Sequence, residues 1–175
     1  TQGNYLSTVY VTHKIATQSW QASGGNRRKE ALPHWCYSRG VKYDDGLYLP
    51  TKKEPLIDGI SGATPHESFN IKLNPATALK KFVVKIEINH STDFNEAFPK
   101  SAKDGEANYS GGKEGSRQPA IVYAANVDLS SGEKSFEANL MGHSSPDGSS
   151  GEVNKDTSGL TTALHIVKRI TVIIQ

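Results

Sequence analysis

The chain has 175 residues, enough for one sizeable core and short for two, so residues 1–175 are expected to form a single domain. Its 20 Lys and Arg face 18 Asp and Glu, and the resulting formal charge of +2 is too thinly spread to hold a polyanion, which argues against nucleic acid as a partner. The single cysteine, Cys36, excludes an intrachain disulfide framework and a multi-thiolate metal site, and no run of about 18 apolar residues exists that would span a membrane.

The chain starts at Thr1 without an apolar h-region, which is what a removed signal peptide or a trimmed chain leaves. Period-two alternation then dominates. "YLSTVYVTHK", with Leu6, Val9 and Val11 among Thr and Tyr, reads as a first strand. After the loop "ASGGNRRKE", the patch "ALPHWCYSRG" places Pro33 where a strand starts or an edge strand runs. Beside Trp35, Cys36 reads as a small buried hydrophobe. "ESFNIKL" sets Phe69, Ile71 and Leu73 on one face, and "KFVVKIEINH" does the same for Phe82, Val84, Ile86 and Ile88, so the two are expected as consecutive antiparallel strands. Residues 91–119 are polar and aperiodic, a long surface excursion of the kind that often carries function. "AIVYAANVDL" and "SFEANLMGH" flank "SSGEK" as a hairpin, Thr157 or Ser158 caps a short helix in "TSGLTTALHIV", and "RITVII" closes the chain as a strand. The expectation is an all-β chain: an antiparallel β-sandwich with long loops and one short helix near the C-terminus.

Chemistry is sparse. Six histidines are scattered without H-x-x-x-H or H-E-x-x-H spacing, so no zinc site is expected. Asp93 and Glu96 in "NHSTDFNEAF" offer a hard-cation loop, against the plainer reading that Asp93 and Asn95 bond their own backbone to shape a turn. "SPDGSSGEVNKD" lacks the regular spacing of a calcium loop and reads as solvated. No G-x-S-x-G elbow, G-x-G-x-x-G or Walker loop occurs. The most distinctive stretch is Asp58-Gly59-Ile60-Ser61-Gly62-Ala63-Thr64, where small residues strip the backbone of bulk and Thr64 offers a hydroxyl before Pro65. It is either a tight turn, with Asp58 and Ser61 bonding backbone N–H groups, or a handle for another molecule.

That stretch resembles the acceptor motif of covalent FMN-binding domains, in which a flavin transferase attaches FMN through its phosphate to the final threonine. Carried onto these positions, Thr64 holds the phosphoester, and Asp58, Ser61, Gly62 and Ala63 form the recognition pattern. From end to end the chain is similar to a predicted periplasmic family of unknown function, found beside or fused to flavin transferase and PepSY-type membrane proteins. The pieces that carry this, in order, are "GNYLSTVYVTHK", "ALPHW", "DGISGATPH", "KFVVKIEINHSTDFNEAF", "QPAIVYAANVDL", "LMGHSSPDG" and "LTTALHIVKRITV". The resemblance implies an extracytoplasmic, immunoglobulin-like sandwich near flavin-dependent electron transfer or iron-linked redox at the envelope, with a flavin transferase or membrane redox protein as partner. A non-enzymatic accessory or binding domain without a cofactor is the expected function. The alternatives are a flavoprotein carrying covalent FMN on Thr64, its ring against Trp35, Tyr37 or Tyr48, and an uncharacterised enzyme, for which no nucleophile has a neighbouring base.

Overall fold

The computed structural model describes residues 4–18, 27–56, 60–62, 65–72, 79–91, 93–112 and 115–175. In chain order they form β1 (Tyr10–Thr12), α1 (His13–Thr17), α2 (Pro33–Arg39), β2 (Ile60–Gly62), β3 (Lys81–Ile88), β4 (Ile121–Asp128), β5 (Ser135–Glu137), β6 (Asn139–Ser144), β7 (Val153–Asn154), a 3-10 turn at Thr162–His165, and β8 (Thr171–Ile173). Strands in antiparallel sheets predominate over a few short helices, an all-β pattern.

The main sheet runs β3-β4-β6-β7, and its longest ladder joins β3 to β4 in unbroken antiparallel register from Lys81↔Asp128 to Ile88↔Ile121. Alternation does what the sequence leads one to expect: Phe82, Val84 and Ile86 share one face. There they pack with Ala125, Val127, Phe136, Val172 and Ile174. Phe136 and Val172 come from the separate β5–β8 ladder, which thereby lies across the main sheet. β6 pairs with β4 through a register shift between Val122 and Tyr123, where Leu140 faces Tyr123 but Gly142 faces Val122, leaving Met141 as one extra residue.

Several expected elements differ. Across the turn at "SSGEK", where the Asp128 carboxylate accepts from Ser130 N–H at 2.9 Å, the expected antiparallel pairing forms between "AIVYAANVDL" and the second half of "SFEANLMGH" as β4–β6, while burial of Phe136 takes the first half, β5, to β8. Residues 67–72 form no strand, Phe69 is exposed, and β3 takes β4 as its partner instead; Leu73 lies outside the described residues. The first strand shrinks to three residues, Tyr10–Thr12, and the chain then winds into α1, whose Ile15 and Ala16 are buried with Val11 of β1, Ala31 and Leu56. Pro33 opens a helix, not a strand: at the first position of α2 its fixed φ suits the turn and its missing N–H costs nothing. The C-terminal helical turn has Thr161 at its N-cap with no side-chain cap, so neither Thr157 nor Ser158 caps it, and the chain holds two further short helices, α1 and α2. Residues 91–119 contain no strand or α-helix among those described.

The other face of β3 receives α2, again by period two. Lys85 Nζ meets His34 Nε2 at 3.1 Å, and Asn89 Nδ2 donates to the Ala31 carbonyl at 2.8 Å. Between them, the Glu87 carboxylate accepts from the backbone N–H of Trp35 at 2.7 Å, from that of His34 at 3.1 Å, and from the Ser144 hydroxyl of β6. These are N–H groups of the first turn of α2, which lack partners inside the helix. Cys36, on the same helix, is buried, and burial pushes its thiol up, as befits a packing residue.

Burial also pushes the Glu87 carboxyl up to about 7, although the Ser144, Trp35 and His34 donors pull it down. A carboxyl raised above its unfolded value binds its proton more tightly when folded, so its contribution is complete below about 4.5 and is lost as pH climbs to about 7. The urea stability of the wild type, measured against Glu87→Gln at each pH, is expected to fall across that window by on the order of 2 kcal/mol, the shift being discounted for partial exposure. Parallel pH profiles for the two proteins would contradict this account of Glu87.

Candidate functional site

A cleft of about 770 Å³ opens where β6 ends, within the range usual for small-molecule sites. One wall is the loop after Ser144. Its shape is fixed by its own side chains: the Asp147 carboxylate accepts from the Ser145 hydroxyl at 2.5 Å and from Ser149 N–H at 3.0 Å. Gly148, with φ +69, lies so close to the Lys29 carbonyl that a Cβ would collide with it. Two bonds fasten this loop to α2, from the Tyr37 hydroxyl to the Ser149 carbonyl at 2.6 Å and from His34 Nδ1 to the Gly151 carbonyl at 2.7 Å. The floor belongs to a second core cluster in which Phe98, from the long segment, packs with Ile121, Leu160 and Ala163.

His143 is the central polar group. It is 6% exposed, yet its ring lines the cleft. Nδ1 stands 2.8 Å from the Ser144 carbonyl, which has no proton to give, so Nδ1–H donates, and Nε2 has no hydrogen-bond partner among the described residues. The edge of the ring meets Phe98 at 6.4 Å between centroids. The two serines that follow are committed elsewhere, Ser144 to Glu87 and Ser145 to Asp147, so neither hydroxyl donates to the imidazole. The opposite wall is the stretch through β7, where Glu152, Val153, Asn154 and Asp156 line the cleft and the Asn154 carboxamide oxygen, accepting from Asp156 N–H at 3.0 Å, turns the chain. Bonds from the backbone N–H and the side chain of Ser158 hold the Asp156 carboxyl below its usual range, with the nearby His143 adding a smaller pull.

Of the motif singled out in the sequence, Asp58, Ala63 and Thr64 lie outside the described residues. Ser61 and Gly62 form the end of β2, parallel to β1 and opposite Val11 and Thr12. The aromatic residues nearest in this layer are Tyr10, opposite Ile60, and Phe69, whose ring lies 5.7 Å from that of Tyr10. Trp35, Tyr37 and Tyr48 are engaged with other groups: Trp35 Nε1–H donates to Thr8 at 3.0 Å beneath the Arg39 guanidinium, and Tyr37 stacks on Tyr48 at 4.3 Å.

Asp93 accepts from Gln118 and Thr162, both at 3.2 Å, while burial pushes its carboxyl up. Asn95 accepts from Phe98 N–H at 2.8 Å and so shapes the turn itself. Glu96 is exposed, and among the described residues no three His, Cys, Asp or Glu side chains are grouped to hold a metal ion. Sequence reasoning took 145–156 as a solvated loop and passed over His143. The signal lay in the Asn and Asp residues of 145–156, whose side chains bond nearby N–H groups and so shape the wall.

Comparison of the chain with protein-family models, with curated proteins and with solved structures finds no match. The functional reading therefore starts from the cleft and the layer around β2.

The cleft depends on close approach of β6 to β7. Gly142, with φ +142, leaves no room for a Cβ against the Asn154 carbonyl. Gly142→Ala is expected to lower the free energy of unfolding by more than about 2 kcal/mol, seen as a lower urea midpoint at unchanged slope; a midpoint equal to wild type would refute that close approach.

Proposed function

We propose that the chain is a non-enzymatic extracytoplasmic binding or accessory domain, built as an immunoglobulin-like β-sandwich and working beside flavin-dependent electron transfer at the envelope. The observation that carries the binding part is the cleft. Its histidine presents an Nε2 that no described residue bonds, while the adjacent serines are bonded to Glu87 and Asp147 and supply no activated nucleophile. The loop walls are held by their own hydrogen bonds, so a ligand meets a preformed surface at little ordering cost. Support for the sandwich comes from the core cluster that Phe136 and Val172 of the β5–β8 ladder form against the main sheet. The envelope setting and a flavin transferase or membrane redox protein as partner rest on the end-to-end resemblance; no helix among the described residues is long and apolar enough to cross a membrane.

A second reading, covalent FMN on Thr64, is favoured by the Tyr10–Phe69 pair in the layer of Ser61 and Gly62, because an isoalloxazine ring needs an aromatic surface nearby. When bound, the flavin supplies the redox chemistry. The residues that fit it are Thr64 as phosphate ester, Asp58, Ser61, Gly62 and Ala63 as recognition pattern, and the exposed Phe69 as a ring contact.

Intact mass after co-expression with a flavin transferase decides between the two. The accessory-domain reading expects wild type and Thr64→Val each at the unmodified mass of its own sequence; an FMN-sized increment on wild type that Thr64→Val abolishes replaces it with the flavoprotein reading.

A further inference from the structure

We propose that the free edge of β3 pairs with the same edge of a second copy of this chain, antiparallel and in one register, so that two main sheets become one continuous sheet. β3 stands last in the order β3-β4-β6-β7, so only one of its sides is used. Which groups the other side presents follows from one bond. Leu129 N–H donates to the Lys80 carbonyl at 2.8 Å, and these two residues lie opposite each other when the Lys81↔Asp128 register is continued. Directly bonded pairs recur at every second residue of an antiparallel ladder, so Phe82, Val84, Ile86 and Ile88 spend their N–H and C=O groups on β4. Lys81, Val83, Lys85 and Glu87 point theirs away, and no other backbone group among the described residues bonds to them. The side chains of Lys81, Val83 and Lys85 are exposed, Val83 by 51%. A row of unpaired donors and acceptors on a regular strand is a template for another strand.

The residues of this edge fit a copy of themselves, and they select the register. Both edges present odd-numbered residues, so bonded pairs must join odd to odd. Two such registers overlap the most of the eight-residue strand: one centres the twofold axis on Val84 and pairs 81–87, the other centres it on Lys85 and pairs 82–88. Centred on Lys85, that ammonium faces its own counterpart, and like charges directly opposite are destabilising. Centred on Val84, Lys81 faces Glu87 of the copy, Val83 faces Lys85, and Phe82 faces Ile86. No lysine then opposes a lysine, and the partly buried rows Phe82-Val84-Ile86 of the two molecules continue each other on the core face. Lysines on an edge strand ward off partners; here they ward off the wrong registers. Helix α2 does not obstruct the pairing. It is tied to Glu87, which comes to stand opposite position 81 of the copy, so the two anchorages lie about 20 Å apart along the joined edge. One patch meets itself, and the assembly closes at two copies.

Sedimentation equilibrium of the full chain, from micromolar to millimolar concentration, is expected to show a monomer passing to a dimer and nothing larger. Amide exchange locates the contact. Lys81, Val83, Lys85 and Glu87 should slow by more than about tenfold between dilute and concentrated samples, while Phe82, Val84 and Ile86 are protected in both. Cysteine placed in turn at 83, 84 and 85 reads the register under mild oxidation: Val84→Cys should crosslink to its copy, Val83→Cys and Lys85→Cys should not, and Cys36 is buried in all three. Val83→Pro removes only an outward N–H, where an edge strand tolerates proline, and should hold the chain monomeric. A monomer at every concentration overturns the proposal. So does a dimer whose odd-numbered β3 amides stay fast, a crosslink at 83 or 85 in place of 84, or a folded Val83→Pro chain that still dimerises. Odd-numbered amides already slow in the dilute monomer overturn it as well, and assign the edge to a segment of the same chain. The exchange measurement uses the wild type, so it decides even where Val83→Pro does not fold.

Discussion

A carboxylate with three donors and little water is the joint of this molecule. Glu87 sits on the β3 face opposite the main core, takes two backbone N–H groups from the first turn of α2, and takes the hydroxyl of Ser144 from β6. A seven-residue helix has too few internal hydrogen bonds to persist alone, so its anchorage must come from elsewhere. Glu87 supplies it, with Lys85 and Asn89 on the same face of the strand. Through α2 the anchorage passes outward, because His34 and Tyr37 hold the 149–151 backbone and with it one wall of the cleft.

Among the described residues the buried apolar side chains gather in three small clusters. The first gathers α1 and Leu56, the second sets Phe98 and the C-terminal helical turn against β4, and the third lies between the main sheet and the β5–β8 ladder. Polar bonds bridge them: Gln118, 1% exposed, donates to Asp93 and Thr162 and accepts from Thr161 N–H at 2.7 Å, tying the long segment to the C-terminal turn. Buried amides of this kind fix mutual position, since any other arrangement leaves them unpaired.

What could be read from sequence follows from how local each signal is. The Lys81–Ile88 and Ile121–Asp128 strands stood out because eight residues of alternation in β-branched types suit a strand and little else. The helices were missed because Ile15 and Ala16, the buried residues of the five-residue α1, are too few to declare a period, and because Pro33 has one meaning at a strand and the opposite at a helix start. Strand pairing was hidden for a different reason. Phe136 leaves β4 for β8 on account of a core assembled from residues more than thirty positions apart. His143 carried no neighbouring ligand or base in sequence, and only the walls built by 145–160 make it a site.

The irregularity in β6 has a consequence for the inheritance of that site. A strand assigns faces by odd and even count, and the extra Met141 advances the count by one, so that His143 rather than Gly142 stands opposite Ile121. The imidazole in the cleft is thus placed by phase as much as by identity. Insertion of one residue ahead of the bulge would keep every letter of the site and yet put the hydrogen atom of Gly142 where the imidazole had been. A chain of this architecture can therefore gain or lose its binding surface by a single insertion, with no substitution in the surface itself.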